Sequence, residues 1–381
     1  MAIPSTIELL TELVAIPSVS STESLWDQSN APIIHRLSDV LNTLGAEVSI
    51  HEVVHEPRKL NLIARFGQGT GGLVFSGHTD TVPFDAARWA TDPFTLTDID
   101  GRLHGLGSTD MKGFIAAAVT VASQIDQKKL KKPLYIVATC DEESTMSGGR
   151  WLQDSDALHA NYVVIGEPTD LVPVRAHKGH LAHRLCAHGH SGHSSNPDAG
   201  INALDAMYEA MGVLMQWRSD LKLLHRDESF AVPYPTLNFG RLAGGDAVNR
   251  ICPEAVLDFD LRPLPGMAIE KTYDDLRKQI EKIKNKTKAT LELQEMWPGT
   301  PAFATPIDTR LVSTATELSG KSAICVNYGT EAPYYRALGS EVIVMGPGSI
   351  DRAHQPNEYV TREELKACEQ FLLALVYKLL C

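Results

Sequence analysis

Short apolar runs that end in acidic or histidine residues are the clearest pattern in the first half of this chain. Three of them end at His78-Thr-Asp80, at Asp141-Glu142-Glu143 and at Gly166-Glu167. Continuous apolar runs of this length are typical of strands that are buried on both faces. In open α/β sheets, ligands bind at the carboxyl ends of the strands. The three endings therefore predict one shared site.

Helical and strand patterns alternate through the same part of the chain. Apolar residues at helical spacing predict helix over about 4–45. An Ala- and Val-rich segment from Asp110 to Ile125 predicts another helix, and residues 108–110 are all of the types that favour N-caps. Strands are predicted near 47–53, 60–66 and 73–77. This order is typical of an α/β fold with a largely parallel sheet.

The pattern changes at about residue 180, where the predicted strands become shorter and more amphipathic. The predicted elements follow the order β-α-β-β-α-β, at 180–188, 201–217, 236–243, 254–262, 270–284 and 289–296. This order suggests an inserted α+β unit with an antiparallel sheet. Helix near 308–319, strand near 341–345 and helix from about 362 then resume the first pattern. We therefore expect a discontinuous domain of residues 1–179 plus 297–381 and an inserted domain of residues 180–296.

Composition and charge exclude several classes of protein. The 381 residues are too many for one typical domain, and 43% hydrophobic and 22% charged residues are ordinary for a globular protein. A net charge of −12 argues against a general affinity for nucleic acid or acidic membranes. There is no signal-like N-terminus or bilayer-length apolar run, and the six cysteines are scattered. We expect a cytoplasmic protein without nucleic-acid or membrane partners.

The acidic and histidine residues carry more information together than singly. A lone aspartate at a helix start usually caps the helix, and a lone histidine in a turn is usually structural. Collected in one cleft, however, the carboxylates would repel one another and resist ionisation. Two divalent metal ions roughly 3.5–4 Å apart would remove that difficulty. The candidates are His78, Asp80, Asp110, Glu142, Glu143, Glu167 and His354.

These residues lie in motifs that occur in a recognisable order. They are His78-Thr-Asp80-Thr-Val-Pro, Gly105-Leu-Gly-Ser-Thr-Asp110-Met-Lys-Gly, Asp141-Glu142-Glu143, Gly166-Glu167-Pro, Ser191-Gly-His193-Ser-Ser and the late His354. The set resembles the M20 metallopeptidase and deacylase family across nearly the whole chain. Within that family, stretches such as Asn327-Tyr-Gly-Thr-Glu-Ala-Pro333 are most similar to acetylornithine deacetylases. The resemblance implies a zinc-peptidase-like catalytic domain with an inserted ferredoxin-like lid and dimerisation domain.

The resemblance also implies how two metal ions would be held. His78 and Glu167 would bind one ion, Glu143 and His354 would bind the other, and Asp110 would bridge both. It further implies a cis peptide bond between Asp110 and Met111. Zinc is the expected metal, and cobalt or manganese would suit the same ligands.

The resemblance also implies other roles for two nearby carboxylates. Asp80 would orient His78 and fix its tautomer. The resemblance implies that Glu142 is the general base. This division is physically sensible, because neighbouring residues on an extended segment point in different directions, so one glutamate can bind metal while the other faces the water.

The inserted domain would supply a further donor. In the family, the histidine that corresponds to His193 reaches the active site of the partner subunit, so the resemblance implies a homodimer. The alternative for residues 189–195 is an ordinary polar turn. Asn249, Arg262 and the loop of residues 346–349, which contains Gly348, match the substrate-contact elements of the family, and Arg250 is another candidate. Tyr328 and Thr330 are expected to line the acyl pocket. Arg262 follows Asp258 and Asp260 on a predicted strand and can instead simply pair there.

The expected reaction is hydrolysis of the acetyl amide of N2-acetyl-L-ornithine. Succinyl-diaminopimelate, other N-acyl amino acids and C-terminal dipeptides are alternative substrates for the same chemistry. A metal-free binding protein with the same fold is the alternative that is not an enzyme.

Overall fold

The computed structural model describes residues 3–381 as two compact units. The first holds the described residues up to Arg175, with Thr305–Ile324 and Glu331–Cys381. The second holds Ala176–Ala304 and Cys325–Thr330. The inserted unit therefore starts slightly earlier and ends later than residues 180–296, and it takes in one short later segment. Its predicted role as lid and dimerisation domain stays a prediction.

The α-helices of the described chain fall in both units. They are α1 (Thr6–Val14), α2 (Ala31–Thr43), α3 (Gly113–Gln124), α4 (Ser147–Asp154), α5 (Ala203–Leu224), α6 (Ile269–Lys284), α7 (Arg310–Ser319), α8 (Ala332–Ala337) and α9 (Arg362–Leu380). A helix capable of spanning a bilayer is absent from residues 3–381.

The strands also fall in both units. They are β1 (Glu47–Val54), β2 (Lys59–Phe66), β3 (Leu73–His78), β4 (Thr97–Ile99), β5 (Arg102–His104), β6 (Leu134–Thr139), β7 (Tyr162–Pro168), β8 (Val174–His177), β9 (His180–His188), β10 (Thr236–Gly244), β11 (Glu254–Arg262), β12 (Thr290–Thr300), β13 (Phe303–Ala304), β14 (Ile324–Val326), β15 (Glu341–Gly346) and β16 (Tyr359–Thr361).

The main sheet of the first unit is mixed. Its strands run in the order β1-β2-β6-β3-β7-β15, and β6, β3, β7 and β15 are parallel. On one side of these strands, β2 pairs antiparallel with both β6 and β1. Strands β1 and β2 are joined only by residues 55–58, which are too few for the crossover that parallel neighbours need. On the other side Val344 of β15 pairs antiparallel with Val174. The predicted α/β class is confirmed, with the parallel strands confined to the centre of the sheet.

The single helix predicted over about 4–45 is wrong in its middle. Helix α1 starts with a capping box of Ser5 and Glu8, and the chain leaves the helix after Val14. Beyond Pro17, the Ser18 hydroxyl donates to the carbonyl of Thr79 at 2.7 Å, so this segment lies beside the end of β3. Pro17 has no amide hydrogen with which to continue the helix, and Ser18 bonds to the end of β3 instead, which explains the break.

The helix predicted from Asp110 begins three residues later, at Gly113. Residues Ser108–Lys112 form a π-type turn, and the Asp110–Met111 peptide is cis, as the resemblance implied. Helix α3 has Lys112 at its N-cap and no side-chain cap bond, so the prediction that residues 108–110 cap the helix is wrong. Asp110 lies within the turn, with φ −121° and ψ 91°. Its backbone geometry frees the carboxylate of Asp110 for the site described below.

The second unit contains the predicted β-α-β-β-α-β order, with longer α5 and β12 than expected. Its four strands pair antiparallel in the order β10-β11-β9-β12. Alternate residues of β11 are buried in one core with residues of α5 and α6, which gives the sheet one apolar face. The core residues of β11 are Ala255, Leu257, Phe259 and Leu261.

One histidine lies in this apolar core. His183 of β9 is 0% exposed, and its ring stacks on Phe259 at 5.5 Å and meets Tyr273 edge-on at 5.2 Å. Among the described residues, neither ring nitrogen has a hydrogen-bond partner. Burial, with a smaller effect of Arg277, lowers the pKa of His183 to about 4. The imidazole is therefore neutral in the folded protein at physiological pH.

Replacing His183 by phenylalanine should stabilise the second unit. Phenylalanine needs no hydrogen bonds, so we expect the free energy of opening this unit to rise by about 1–3 kcal/mol at pH 7. Between pH 6.5 and 4 the unfolded wild-type chain binds a proton that folding must release, so wild-type stability falls as the pH falls. The advantage of the variant should therefore grow at pH 5. Amide hydrogen exchange in β9 at both pH values measures this, and equal or faster exchange in the variant would contradict it.

Candidate metal centre

The structure brings the predicted metal ligands together in the first unit. His78 Nε2 lies 3.0 Å from Asp110 Oδ1 and 3.9 Å from Glu167 Oε1. His354 Nε2 lies 2.9 Å from Glu143 Oε1 and 3.4 Å from Asp110 Oδ2. Asp110 therefore presents one oxygen to each imidazole, which is the arrangement required of a carboxylate shared by two ions.

Sheet register explains why residues distant in sequence meet here. Strands β3 and β6 are parallel neighbours, and His78 pairs with Thr139 at the end of β6. Strand β7 lies on the other side of β3, so Glu167 follows the same edge of the sheet. The three polar endings seen in the sequence are thus adjacent, as the position of ligand sites in α/β sheets predicts.

Two overlapping sets of side chains are close enough to hold an ion. Ligand atoms of His78, Asp110 and Glu143 all lie within 4.8 Å of one another, and so do those of His78, Glu142 and Glu167. Glu142 therefore lies beside the predicted ligands. The role of Glu142 as general base stays a prediction.

Asp80 contacts the site in two ways. His78 Nδ1 is 3.0 Å from the backbone carbonyl of Asp80 and 3.6 Å from its Oδ1. Donation to that carbonyl fixes the proton on Nδ1 and leaves Nε2 as the ligand atom. The carboxylate of Asp80 accepts hydrogen bonds from the amides of Glu142 at 3.3 Å and Glu143 at 3.0 Å. Asp80 thus supports both the histidine and the pair of glutamates.

The charges of the cluster are unbalanced. Burial, strengthened by Glu167, raises the pKa of Glu142 well above its ordinary value, and burial with Asp110 does the same for Glu167. Hydrogen bonds to Asp110 and Glu143 raise the pKa of His354 to about 11. Glu167 Oε1 is buried without a hydrogen-bond partner among the described residues. Crowded carboxylates, one of them with an orphaned oxygen, fit divalent cations, and the donor set suits zinc, cobalt or manganese.

Glu358 is a structural part of the site that sequence reasoning did not single out. One oxygen accepts from the amides of Thr109 at 2.8 Å and Asp110 at 2.9 Å, and the other accepts from the amide of Gly107 at 3.0 Å. These bonds hold the turn that carries Asp110. The available signal was its position four residues after His354, in the same short polar segment.

His193 belongs to the second unit and is exposed. Its Nδ1 accepts from the amide of Ser195 at 3.2 Å and lies 2.8 Å from the Ser195 hydroxyl. A neutral ring in this arrangement carries its proton on Nε2, which makes Nε2 a hydrogen-bond donor. Asn249 is also exposed in this unit, and its carbonyl accepts from Ser194. The roles predicted for both residues stay predictions.

The remaining predicted substrate contacts differ in their burial and in their hydrogen-bond partners. Arg262 Nε donates to Asp260 at 3.1 Å, so the pairing alternative raised from the sequence is present. Thr330 is buried, and its amide donates to His177 Nε2 at 3.1 Å. Tyr328 is half-buried nearby in the chain. Their binding roles stay predictions.

Gly348, unlike the other predicted substrate contacts, lies in the first unit. It has φ +81°, and a Cβ there would lie 3.0 Å from Thr109 Oγ1. The loop thus passes close to the turn that carries Asp110.

Comparison with known proteins identifies the family. Residues 74–378 match the family described as Peptidase family M20/M25/M40. The chain belongs to this family. The recognition made from the motifs is therefore confirmed at the family level.

Solved structures share the fold across nearly the full length. An M20 family metallo-carboxypeptidase from Sulfolobus solfataricus is 16% identical with a TM-score of 0.77, covering 98% of both chains. A tripeptidase from Staphylococcus aureus is 21% identical with a TM-score of 0.75, covering 97% of this chain and 96% of the other. A dinuclear metal binding M20 peptidase from Bacillus subtilis is 16% identical with a TM-score of 0.66, covering 98% and 97%.

Close packing next to Glu167 gives a test of the site. A Cβ on Gly166 would lie 1.9 Å from Cγ of Phe114, so Gly166→Ala must displace the phenylalanine or the strand end. We expect a loss of about 1–3 kcal/mol in stability and weaker zinc binding, because Glu167 is the next residue. Thermal unfolding and zinc titration measure both effects.

The control for this variant is Gly212→Ala. Gly212 lies within α5, and nothing is within 4 Å of a Cβ built there. This substitution should stabilise the protein by about 0.5–1 kcal/mol, because alanine favours helix over glycine. If Gly166→Ala behaves like Gly212→Ala, the steric role assigned to Gly166 is wrong.

Proposed function

We propose that this M20 family member is a metal-dependent amidohydrolase that converts N2-acetyl-L-ornithine to L-ornithine and acetate. The observation that carries the hydrolytic part is Glu142, a buried carboxylate within 4.8 Å of His78 and Glu167 that the predicted ligand set does not use. The acetylornithine part rests on the sequence stretches most similar to acetylornithine deacetylases. Those stretches include residues 327–333 and 346–350.

The chain supplies a base, its supports and a donor. His78, Glu167, Glu143, His354 and Asp110 would hold two divalent ions, most simply Zn²⁺. When bound, these ions provide Lewis acidity and lower the pKa of water. The Glu142 carboxylate takes the proton of the attacking water and then gives it to the leaving amine nitrogen.

The second unit completes the reaction in this proposal. His193, supplied by the partner subunit of a homodimer, donates from Nε2 to the oxygen of the acetyl carbonyl as negative charge develops there. Support comes from the bonds of Ser195 to Nδ1, which leave the proton on Nε2. Asn249, Arg262 and the Gly348 loop would recognise the α-carboxylate, since guanidinium and backbone donors suit that group.

The size of a cavity beside His354 agrees with a small substrate. A cavity of about 320 Å³ adjoins His354 and is lined by Phe84, Arg88 and Trp89 among others. This volume is at the lower end of the range for small-molecule sites. An acylated amino acid fits such a volume better than a long peptide.

Hydrolysis of short peptides is the second candidate. The observation that favours it is the fold similarity to proteins described as a tripeptidase, a dipeptidase from Saccharomyces cerevisiae and a carboxypeptidase. The same base and ligands would act on a peptide bond, because both substrates are linear amides. The two candidates differ in the group that binds beside the scissile bond.

A panel of substrates distinguishes the candidates. Protein loaded with zinc or with cobalt is assayed on N2-acetyl-L-ornithine, N-succinyl-L,L-diaminopimelate, N-acetyl-L-methionine and a dipeptide. We expect the highest kcat/KM for acetylornithine and no turnover after chelation. A higher kcat/KM for any other member would replace the proposed substrate, and full turnover in the chelated protein would exclude metal-dependent hydrolysis.

A further inference from the structure

A fully buried lysine lies behind the two glutamates of the site. Lys59 at the start of β2 is 1% exposed, and its Nζ is 2.6 Å from Asp27 Oδ1 and 2.7 Å from Asp141 Oδ1. Burial acts to lower the pKa of Lys59, but the Asp141 and Asp27 carboxylates outweigh it and the net shift is upward. The ammonium is therefore charged and is shared between two carboxylates.

Asp141 is the residue directly before Glu142 and Glu143. Its φ of +57° is in the left-handed region that residues other than glycine rarely adopt. Its side chain also accepts from the hydroxyls of Ser20 at 3.1 Å and Ser147 at 2.9 Å. Its carbonyl accepts from the amide of Met146 at 2.6 Å, which closes the turn. The lysine thus holds the residue at which the chain reverses.

The following residues are held from the opposite side. The Asp80 carboxylate accepts from the amides of Glu142 and Glu143 at 3.3 and 3.0 Å. The turn is therefore fixed at its first residue by a cation and at its next two residues by an anion. A shift at Asp141 would move both glutamates relative to His78 and Asp110.

We propose that Lys59 is a positioning residue of the metal centre, acting through Asp141 to set the places of Glu142 and Glu143. For its effect on turnover the inference rests on the proposed hydrolytic function, whereas its effect on metal binding does not. The alternative role is an ion-pair network that only stabilises the fold. The two carboxylates that share Lys59 separate these roles, because Asp27 lies on the loop between α1 and α2 while Asp141 lies on the turn.

The experiment compares Asp141→Asn with Asp27→Asn. Each is isosteric and leaves Lys59 one carboxylate. For Asp141→Asn we expect kcat to fall about tenfold to a hundredfold with KM within about threefold of wild type, because a displacement near 1 Å can cost that much. We expect its affinity for Co²⁺ to fall about tenfold or more, with a changed visible absorption spectrum. For Asp27→Asn we expect kcat and the affinity for Co²⁺ to stay within about threefold of wild type.

Amide hydrogen exchange of residues 141–146 in the metal-free proteins is the readout of position. Exchange should be faster than in wild type for Asp141→Asn and unchanged for Asp27→Asn. Lys59→Met, where it folds, should show the same changes as Asp141→Asn. The double variant that carries both of these substitutions should lose no more kcat than either single variant. These results would support the positioning role.

Three results would overturn it. They are a wild-type kcat and cobalt spectrum in Asp141→Asn, equal losses in the two asparagine variants, and a folded Lys59→Met with wild-type turnover. If wild type hydrolyses nothing in the substrate panel while cobalt binding and exchange change only in Asp141→Asn, the proposed function fails and the inference about Lys59 stands. If Lys59→Met does not fold, the asparagine pair decides.

Discussion

Glu142→Gln should lower kcat by about 10²- to 10⁴-fold, the contribution expected of a general base. The amide keeps the size of the carboxyl group but cannot take a proton from water. Metal content should be unchanged, because the predicted ligands are His78, Asp110, Glu143, Glu167 and His354. Steady-state kinetics on the best substrate of the panel, together with metal analysis of the purified variant, measure both quantities.

The neighbouring residue provides the matched control. Glu143 Oε1 lies 2.9 Å from His354 Nε2, and Glu143 is predicted to bind an ion. Glu143→Gln should therefore lose bound metal as well as activity, although the chemical change is the same. If Glu142→Gln loses metal to the same extent, Glu142 is a ligand, a role that its closeness to His78 and Glu167 also permits. If it keeps full turnover, the assignment of the base is wrong.

The framework of the fold could be predicted because it depends on local pattern. The buried runs before His78, Asp141 and Glu167 became β3, β6 and β7, and the alternating segments after residue 180 became the antiparallel sheet of the second unit. The helix predicted through residues 15–30 failed for a long-range reason. Ser18 and Ser20 bond to Thr79 and Thr81, and only the folded strand places those partners there.

The same distinction applies to the site. Its ligands could be named because imidazole and carboxylate groups that follow several strand ends together are typical of a ligand site in an α/β sheet. The groups that hold them could not. Lys59 contacts Asp141, which lies 82 residues later in the chain, and Glu358 contacts Asp110, which lies 248 residues earlier. Lys59 lies outside the motifs and carries no local signal, and the only signal of Glu358 is its closeness to His354 in the sequence. Asp110 itself resembled a helix cap until the backbone of Ser108–Lys112 showed otherwise.

Asp110→Asn should have the broadest effect on metal binding of any single substitution. Its two oxygens face His78 at 3.0 Å and His354 at 3.4 Å, so the variant loses one negative charge and one acceptor that both predicted ions would share. At a zinc concentration one hundred times the dissociation constant, binding stabilises a folded protein by about 2.7 kcal/mol. Wild type should therefore show a zinc-dependent rise in Tm, and Asp110→Asn should show little or none.

Calorimetry with zinc alone tests this without any substrate, so the result does not depend on the identity of the amide that is hydrolysed. Asp126→Asn is the control, because Asp126 caps a short surface turn of the same unit and should keep the wild-type response to zinc. Loss of turnover should accompany loss of the zinc response in Asp110→Asn, since both ions share this residue. An unchanged rise in Tm with two bound zinc ions would mean that the carboxylates flanking each imidazole suffice, and that Asp110 does not bridge the ions.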